Sequence, residues 1–199
     1  GLARALLAEA GWTDPEGNGV VERNGTPLRF TLSYGSGDPR RDNLVLILQQ
    51  QFADIGVAVD LAPMERNELY QRLREREFEA ALSGWATGLV IDPEPYWHSG
   101  EHNTYNITGY ASPDVDRLIE QGAAARDPAT AEPIWKEMLA EIYEDQPYCF
   151  LYWADEVVLL DGRFQGAASN TLNLLHELHR WWVPEVSRRR DSGKGEVEV

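Results

Sequence analysis

The sequence predicts an α/β fold, a mixed and largely parallel sheet flanked by helices, and three observations point there. Strand-like and helix-like stretches alternate from Leu28 to Gly84, the order that crossover units produce. Glycines fall where helical periodicity breaks, at Gly11 and Gly56. Asp38-Pro39, Ser112-Pro113 and Asp127-Pro128 each place a capping side chain before a proline, which suits a first helical position because that amide is unpaired anyway.

Leu2, Ala5, Leu6 and Ala10 repeat at helical spacing, and Gly11 supplies a left-handed stop before Trp12. The Gly- and Asn-rich stretch from Asp14 to Gly25 is expected to be a loop, and Leu28 to Tyr34 alternates as a strand. A helix follows from Pro39 to about Ile55, then a strand over Val57–Leu61. Leu69 and Leu73 mark a short helix before a strand over Phe78–Gly84. The crossovers are expected to be right-handed. From Trp85 to Tyr110 the pattern fails, and a segment that long without periodicity is functional or disordered. Two helices then run from Pro113 to Arg126 and from Pro128 to Glu144. Strands are expected near Tyr148–Trp153 and Val157–Leu160, with a last one at Trp181-Trp182-Val183 and disorder beyond Pro184.

The composition narrows the function. Apolar residues make up 43% of the 199 and charged ones 26%, which describes a globular chain with a sizeable core. Its net charge of −15 repels phosphate backbones, so nucleic acid is excluded as a partner. Arg188 to Arg190 sit in a polar tail and read as a solvated end. Cys149 is the one cysteine and lies in a strand-like apolar run, which reads as an inert core thiol and leaves the redox compartment open. No apolar run approaches the roughly 20 residues of a membrane span, and the opening residues do not read as a basic-then-apolar signal peptide, so any targeting segment is expected to have been removed or to belong to an absent part.

His98-Ser99-Gly100-Glu101-His102 matches the H-x-x-E-H string of one zinc peptidase class. That chemistry needs a helix, so that both histidines share a face, and Gly100 with Pro93 and Pro95 argues against one. His176 and His179 form a second pair, read as surface or packing. Asp14-Pro15-Glu16-Gly17-Asn18-Gly19 resembles the first half of a calcium loop, but the twelfth position is Gly25 instead of the bidentate Glu, which favours a plain turn over a weak calcium site. Neither phosphate-binding glycine pattern occurs, nor a G-x-S-x-G elbow. Carboxylate pairs such as Glu65 with Glu68, or Glu94 with Glu101, are expected by chance in so acidic a chain. No cofactor, metal or catalytic residue is therefore assigned.

The aromatic segment remains. Trp85 follows a strand, and ligands of open α/β sheets lie beyond the carboxyl ends of strands. Trp97, Tyr105 and Tyr110 follow in a polar loop and offer broad apolar faces with polar tips, the mixture used by small-molecule clefts. The competing reading makes these rings caps on the domain's own core.

Ala3 to Trp12, Pro27 to Leu32, Gln49 to Val59, Phe78 to Trp85, Asp92-Pro93, Gly109 to Asp116 and Pro147 to Tyr152 together resemble the family 5 extracellular solute-binding proteins of ABC importers, over residues 2–184. The resemblance implies a two-lobed parent, of which this chain is the carboxyl-terminal portion. Residues 1–151 would be the distal α/β lobe, 152–184 a segment returning toward the absent first lobe, and 185–199 a disordered tail. It also implies an extracytoplasmic setting, periplasmic or anchored to the cell surface, and no enzymatic activity. The expected partners are a small-molecule or peptide ligand, ABC-importer permease subunits and the first lobe itself. Trp85, Ala86, Thr87, Gly88, Asp92, Trp97 and Tyr105 are the expected ligand-binding residues. Peptide-binding members carry an amine-anchoring Asp three residues beyond the matching Trp; here that position is Gly88, so sugars, opines and other small polar solutes stand beside peptides. The expected mechanism is capture by closure of the lobes over the solute. Two alternatives are a zinc hydrolase using His98, Glu101 and His102, and a protein-interaction module docking through the aromatic loop.

Overall fold

A computed structural model describes residues 1–85, 92–100, 105–154, 157, 159–168 and 177–188. The chain divides into two units, one made of Gly1–Ala86 and Asp92–Pro147 and another that contains the chain from Tyr148 onward.

The first unit opens with helix α1 (Leu2–Glu9) and a small hairpin, β1 (Glu22–Arg23) with β2 (Thr26–Pro27). It continues through β3 (Arg29–Gly35), α2 (Pro39–Ala53), β4 (Ala58–Met64), α3 (Arg66–Glu75) and β5 (Ala80–Leu82). The three strands form a parallel sheet in the order β4-β3-β5, with Arg29 to Gly35 opposite Ala58 to Met64 and Leu32 to Tyr34 opposite Ala80 to Leu82. The expected α/β architecture is therefore present. Gly11 and Gly56 adopt φ of 85° and 87°, the left-handed stops read from the sequence.

One face of the sheet is apolar. Leu32, Tyr34 and Val59 pack with Val45 of α2 in a buried cluster that Phe30, Leu48, Phe52 and Leu61 extend. Phe30 and Phe52 meet edge to face at 5.3 Å. Strand order reverses around β3, since the chain leaves it for β4 on one side and returns to β5 on the other. In open α/β sheets the crevice outside the strands' carboxyl ends at such a reversal is where ligands bind.

A helical hairpin forms the second part of this unit. Helix α4 (Glu94–Trp97) is a single turn, and α5 (Pro113–Ala124) and α6 (Pro128–Asp145) pack through Val115, Leu118 and Ile119 against Met138 and Ile142. Spacings of three and four residues put each set on one helix face, and burying each large side chain stabilises by roughly 1.5–3 kcal/mol. All three cap-plus-proline starts form as read. The side chains of Asp38, Ser112 and Asp127 accept from the backbone amides of Arg40, Val115 and Thr130.

Asp127 also accepts the Thr130 hydroxyl at 2.8 Å, and the bonds from Thr130 hold its carboxyl below the ordinary carboxylate range. A carboxyl whose folded value is depressed stabilises above its unfolded value and loses that contribution as pH falls through the folded one. Asp127→Asn keeps a capping oxygen without the titration, so its unfolding midpoint in urea is expected to decline less steeply with acid below about pH 4. Parallel acid limbs for the two proteins would contradict this account.

The second unit departs from expectation. No described residue of Tyr148–Trp153 or Val157–Leu160 belongs to a strand, and Cys149 is exposed, which corrects its reading as a core thiol. Trp153 is 81% and Leu159 93% exposed. The Trp181–Val183 strand is reduced to an isolated bridge between Gln165 and Trp182, closed by hydrogen bonds of 2.8 and 3.1 Å. Two single 3₁₀ turns, Leu178–Arg180 and Glu185–Ser187, complete the described part.

Candidate functional site

Trp85 lies three residues past the end of β5, after exposed Ser83 and Gly84. Its indole meets Tyr96 at 5.2 Å and Tyr105 at 5.5 Å, both at an interplanar angle of 71°. The two tyrosines stack on each other at 5.4 Å and 21°. Every ring thus meets both others in an edge-to-face or stacked arrangement, as the ring quadrupole prefers. Trp85 and Tyr96 are half-buried and Tyr105 is 48% exposed, so the cluster keeps an open apolar face with phenolic edges.

Sequence reading missed Tyr96, although it stands beside Trp97 in the same aromatic segment. Adjacent helical residues point about 100° apart, and here they separate. Trp97 packs against the α5–α6 core and meets Tyr110 edge to face at 6.1 Å, while Tyr96 joins Trp85. Of the expected ligand residues, Trp85 and Tyr105 are in ring contact with each other. Asp92 is exposed, and Ala86, Thr87 and Gly88 lie outside the described residues.

Polar contacts hold the chain next to Tyr105. Asn106 is buried and bonds to the backbone of His98 and Tyr110. The Tyr110 hydroxyl donates to Asp145 at 2.7 Å, and burial together with that carboxylate pushes the phenol up to about 12. Arg76 ends α3 with a left-handed φ of 58° and donates to the Asn106 carbonyl. Gly109, at φ 69°, lies against that guanidinium, so close that a side-chain carbon would meet it at 3.1 Å.

His98 is the residue after α4, with an extended ψ of 140°, so the H-x-x-E-H string does not begin on a helix; Glu101 and His102 lie outside the described residues. His98 Nδ1 accepts the Gly100 amide, and the ring stands 3.9 Å from Asp116 and 3.7 Å from Glu120. No set of three His, Cys, Asp or Glu among the described residues could hold a metal ion. Both Asp14 carboxylate oxygens accept backbone amides, from Asn18 and Gly19. His176 lies outside the described residues and His179 is exposed. An open groove of about 650 Å³ is lined by Thr31, Ser33, Met64, Arg72 and Phe78, along the strands and not beyond their ends. No described helix is long and apolar enough to cross a membrane.

Residues 2–108 match the model for the bacterial extracellular solute-binding proteins, family 5 Middle. The oligopeptide-binding protein AppA of Bacillus subtilis is 26% identical over 184 residues, which is 91% of this chain and 34% of AppA. The nickel-binding periplasmic protein of Escherichia coli is 29% identical over 151 residues, 73% of this chain and 29% of that protein. The structure of Bacillus subtilis AppA in complex with a nonapeptide superposes with a TM-score of 0.80 at 26% identity, covering 92% of this chain and 37% of AppA. NikZ of Campylobacter jejuni shares the fold, with a TM-score of 0.73 at 21% identity, covering 90% of this chain and 38% of NikZ. The chain thus spans about a third of the length of these relatives.

Proposed function

Because the chain belongs to the family 5 bacterial extracellular solute-binding proteins, we propose that it forms one wall of a cleft that captures a small polar solute for an ABC importer. The observation that carries this reading is the Trp85, Tyr96 and Tyr105 cluster, placed just beyond the carboxyl end of β5 where strand order reverses. Rings of that kind present apolar area at low entropic cost, and their hydroxyl and indole groups supply polar contacts. Ala86, Thr87, Gly88 and Asp92 would complete the wall by sequence proximity.

The solute would be held between this wall and a first lobe supplied by the remaining length of the parent, with closure shifting the open–closed balance by the solute's preference for the closed form. The closed form would then engage permease subunits outside the cytoplasm. Exposed Phe150, Tyr152, Trp153 and Leu159 support the return segment, since apolar side chains in that density fit a covered surface. Peptides lead the solute classes, as the AppA structure holds a nonapeptide. Gly88, at the position where peptide binders place an amine-anchoring Asp, keeps sugars and amino-acid derivatives in the comparison.

The test is a thermal-shift and calorimetric screen of the parent protein against nonapeptides, sugars, amino-acid derivatives and nickel–histidine complexes. A solute at 100 times its Kd is expected to stabilise by about 2.7 kcal/mol, a rise of several degrees in Tm. Stabilisation by zinc alone, with no response to any organic solute, would refute the proposal.

A further inference from the structure

Asn106 follows Tyr105 directly and is 5% exposed. Its Nδ2 donates to the carbonyls of His98 at 3.2 Å and Tyr110 at 2.7 Å, and its Oδ1 accepts the Tyr110 amide at 2.9 Å. Two carbonyls need donors and one amide needs an acceptor, which fixes how the side-chain amide points. Its main-chain carbonyl accepts from Arg76 Nη2 at 3.2 Å and from the Gly109 amide at 3.2 Å.

These bonds tie together the two backbone segments that carry the stacked tyrosines. His98 directly follows the helical turn bearing Tyr96, and Tyr105 is the neighbour of Asn106 itself. The 5.4 Å stack therefore depends on a separation that one buried side chain sets, and Trp85 rests on both rings. We propose that Asn106 is the positioning residue of the aromatic wall, holding Tyr96 and Tyr105 in register so that Trp85 is presented in one orientation. Arg76 supports it from the end of α3. The inference rests on the reading of that cluster as the solute-facing wall only for its functional meaning; the positioning itself is measured without solute.

Shape alone does not satisfy the site. Aspartate matches asparagine in volume, but when ionised it has no donor and would face two carbonyls. An unpaired buried polar group is expensive, so the segments are expected to part and not to tolerate the mismatch.

The experiment uses the full 199-residue chain and its Asn106→Ala, Asn106→Asp and Arg76→Gly variants, each paired with the same protein carrying Trp85→Phe. The difference within each pair isolates the near-ultraviolet circular dichroism and the acrylamide quenching of Trp85. Asn106→Ala and Asn106→Asp are expected to raise the Trp85 quenching constant about two-fold and to remove most of its near-ultraviolet band, with far-ultraviolet helix signal retained, because ring coupling depends on a fixed arrangement. Arg76→Gly keeps the left-handed cap, removes the guanidinium, and is expected to give a smaller change of the same sign. Unchanged Trp85 signals in Asn106→Ala, or an Asn106→Asp protein that behaves as the parent does, would overturn the inference. Should the Asn106 variants fail to fold, Arg76→Gly decides, and unaltered Trp85 signals there overturn it. A parallel titration of the parent protein with a nonapeptide, comparing Trp85→Ala with the unsubstituted parent, reports on the solute-facing reading alone, so either idea can fail without the other.

Discussion

Gly122→Ala is expected to destabilise the chain by about 1–3 kcal/mol, although the same change inside a helix ordinarily gains up to ~1 kcal/mol. Gly122 lies in α5 on the face of Val115, Leu118 and Ile119, where the Trp135 indole of α6 crosses it. A side-chain carbon added there would stand 2.3 to 2.6 Å from three atoms of that ring. Trp135 is itself packed against the buried cluster, so displacing the ring costs packing on that cluster. The sign inversion is the diagnostic: propensity predicts a gain and packing a loss. Urea unfolding of Gly122→Ala, Trp135→Leu and the double variant measures it, and the double variant is expected to recover much of the loss because the two sites share one contact. A Gly122→Ala protein more stable than its parent would remove the account.

Trp85→Ala carries the largest expected functional effect. A central aromatic anchor at an interface is worth about 2 kcal/mol or more on truncation, so affinity for the solute identified by screening is expected to fall roughly 30-fold or more. Because Trp85 is half-buried and touches only rings of its own cluster among the ring contacts described, the unfolding midpoint should move little. Trp97→Ala should behave in the opposite way. Its ring packs on the α5–α6 core, so stability falls while affinity is largely kept. Retained affinity in Trp85→Ala, measured by titration calorimetry, would remove the cluster from the site.

What was legible in the sequence is local in origin. Asp38, Ser112 and Asp127 reach amides two or three residues away, so the dipeptides announcing those helices carry their whole mechanism. The Asn24-Gly25 hairpin turn between β1 and β2 was equally local, with both residues at positive φ, but it was absorbed into the surrounding loop. Tyr148 to Trp153 has strand composition without strand structure. A strand exists only through a pairing partner, and composition cannot supply one. Trp85 could be singled out because it comes soon after a strand, three residues past the end of β5. Tyr96 and Asn106 were not, since what sets them apart is contact with residues eight to eleven positions away and one amide's burial.

Among the described residues β4 borders the sheet, and its outer side limits how the protein can go wrong. Ala58 donates to the Leu28 carbonyl, so alternation turns the backbone groups of Val59, Leu61 and Pro63 away from β3. The Val59 carbonyl is taken by Gln49 at 2.8 Å, and Pro63 has no amide hydrogen to offer. Exposed Asp60 adds a charge that a neighbouring copy in register would have to face. An incoming strand would find the Val59 carbonyl already taken and no amide hydrogen at Pro63, so a ladder along that side of β4 would be interrupted at both places, which works against edge-to-edge aggregation.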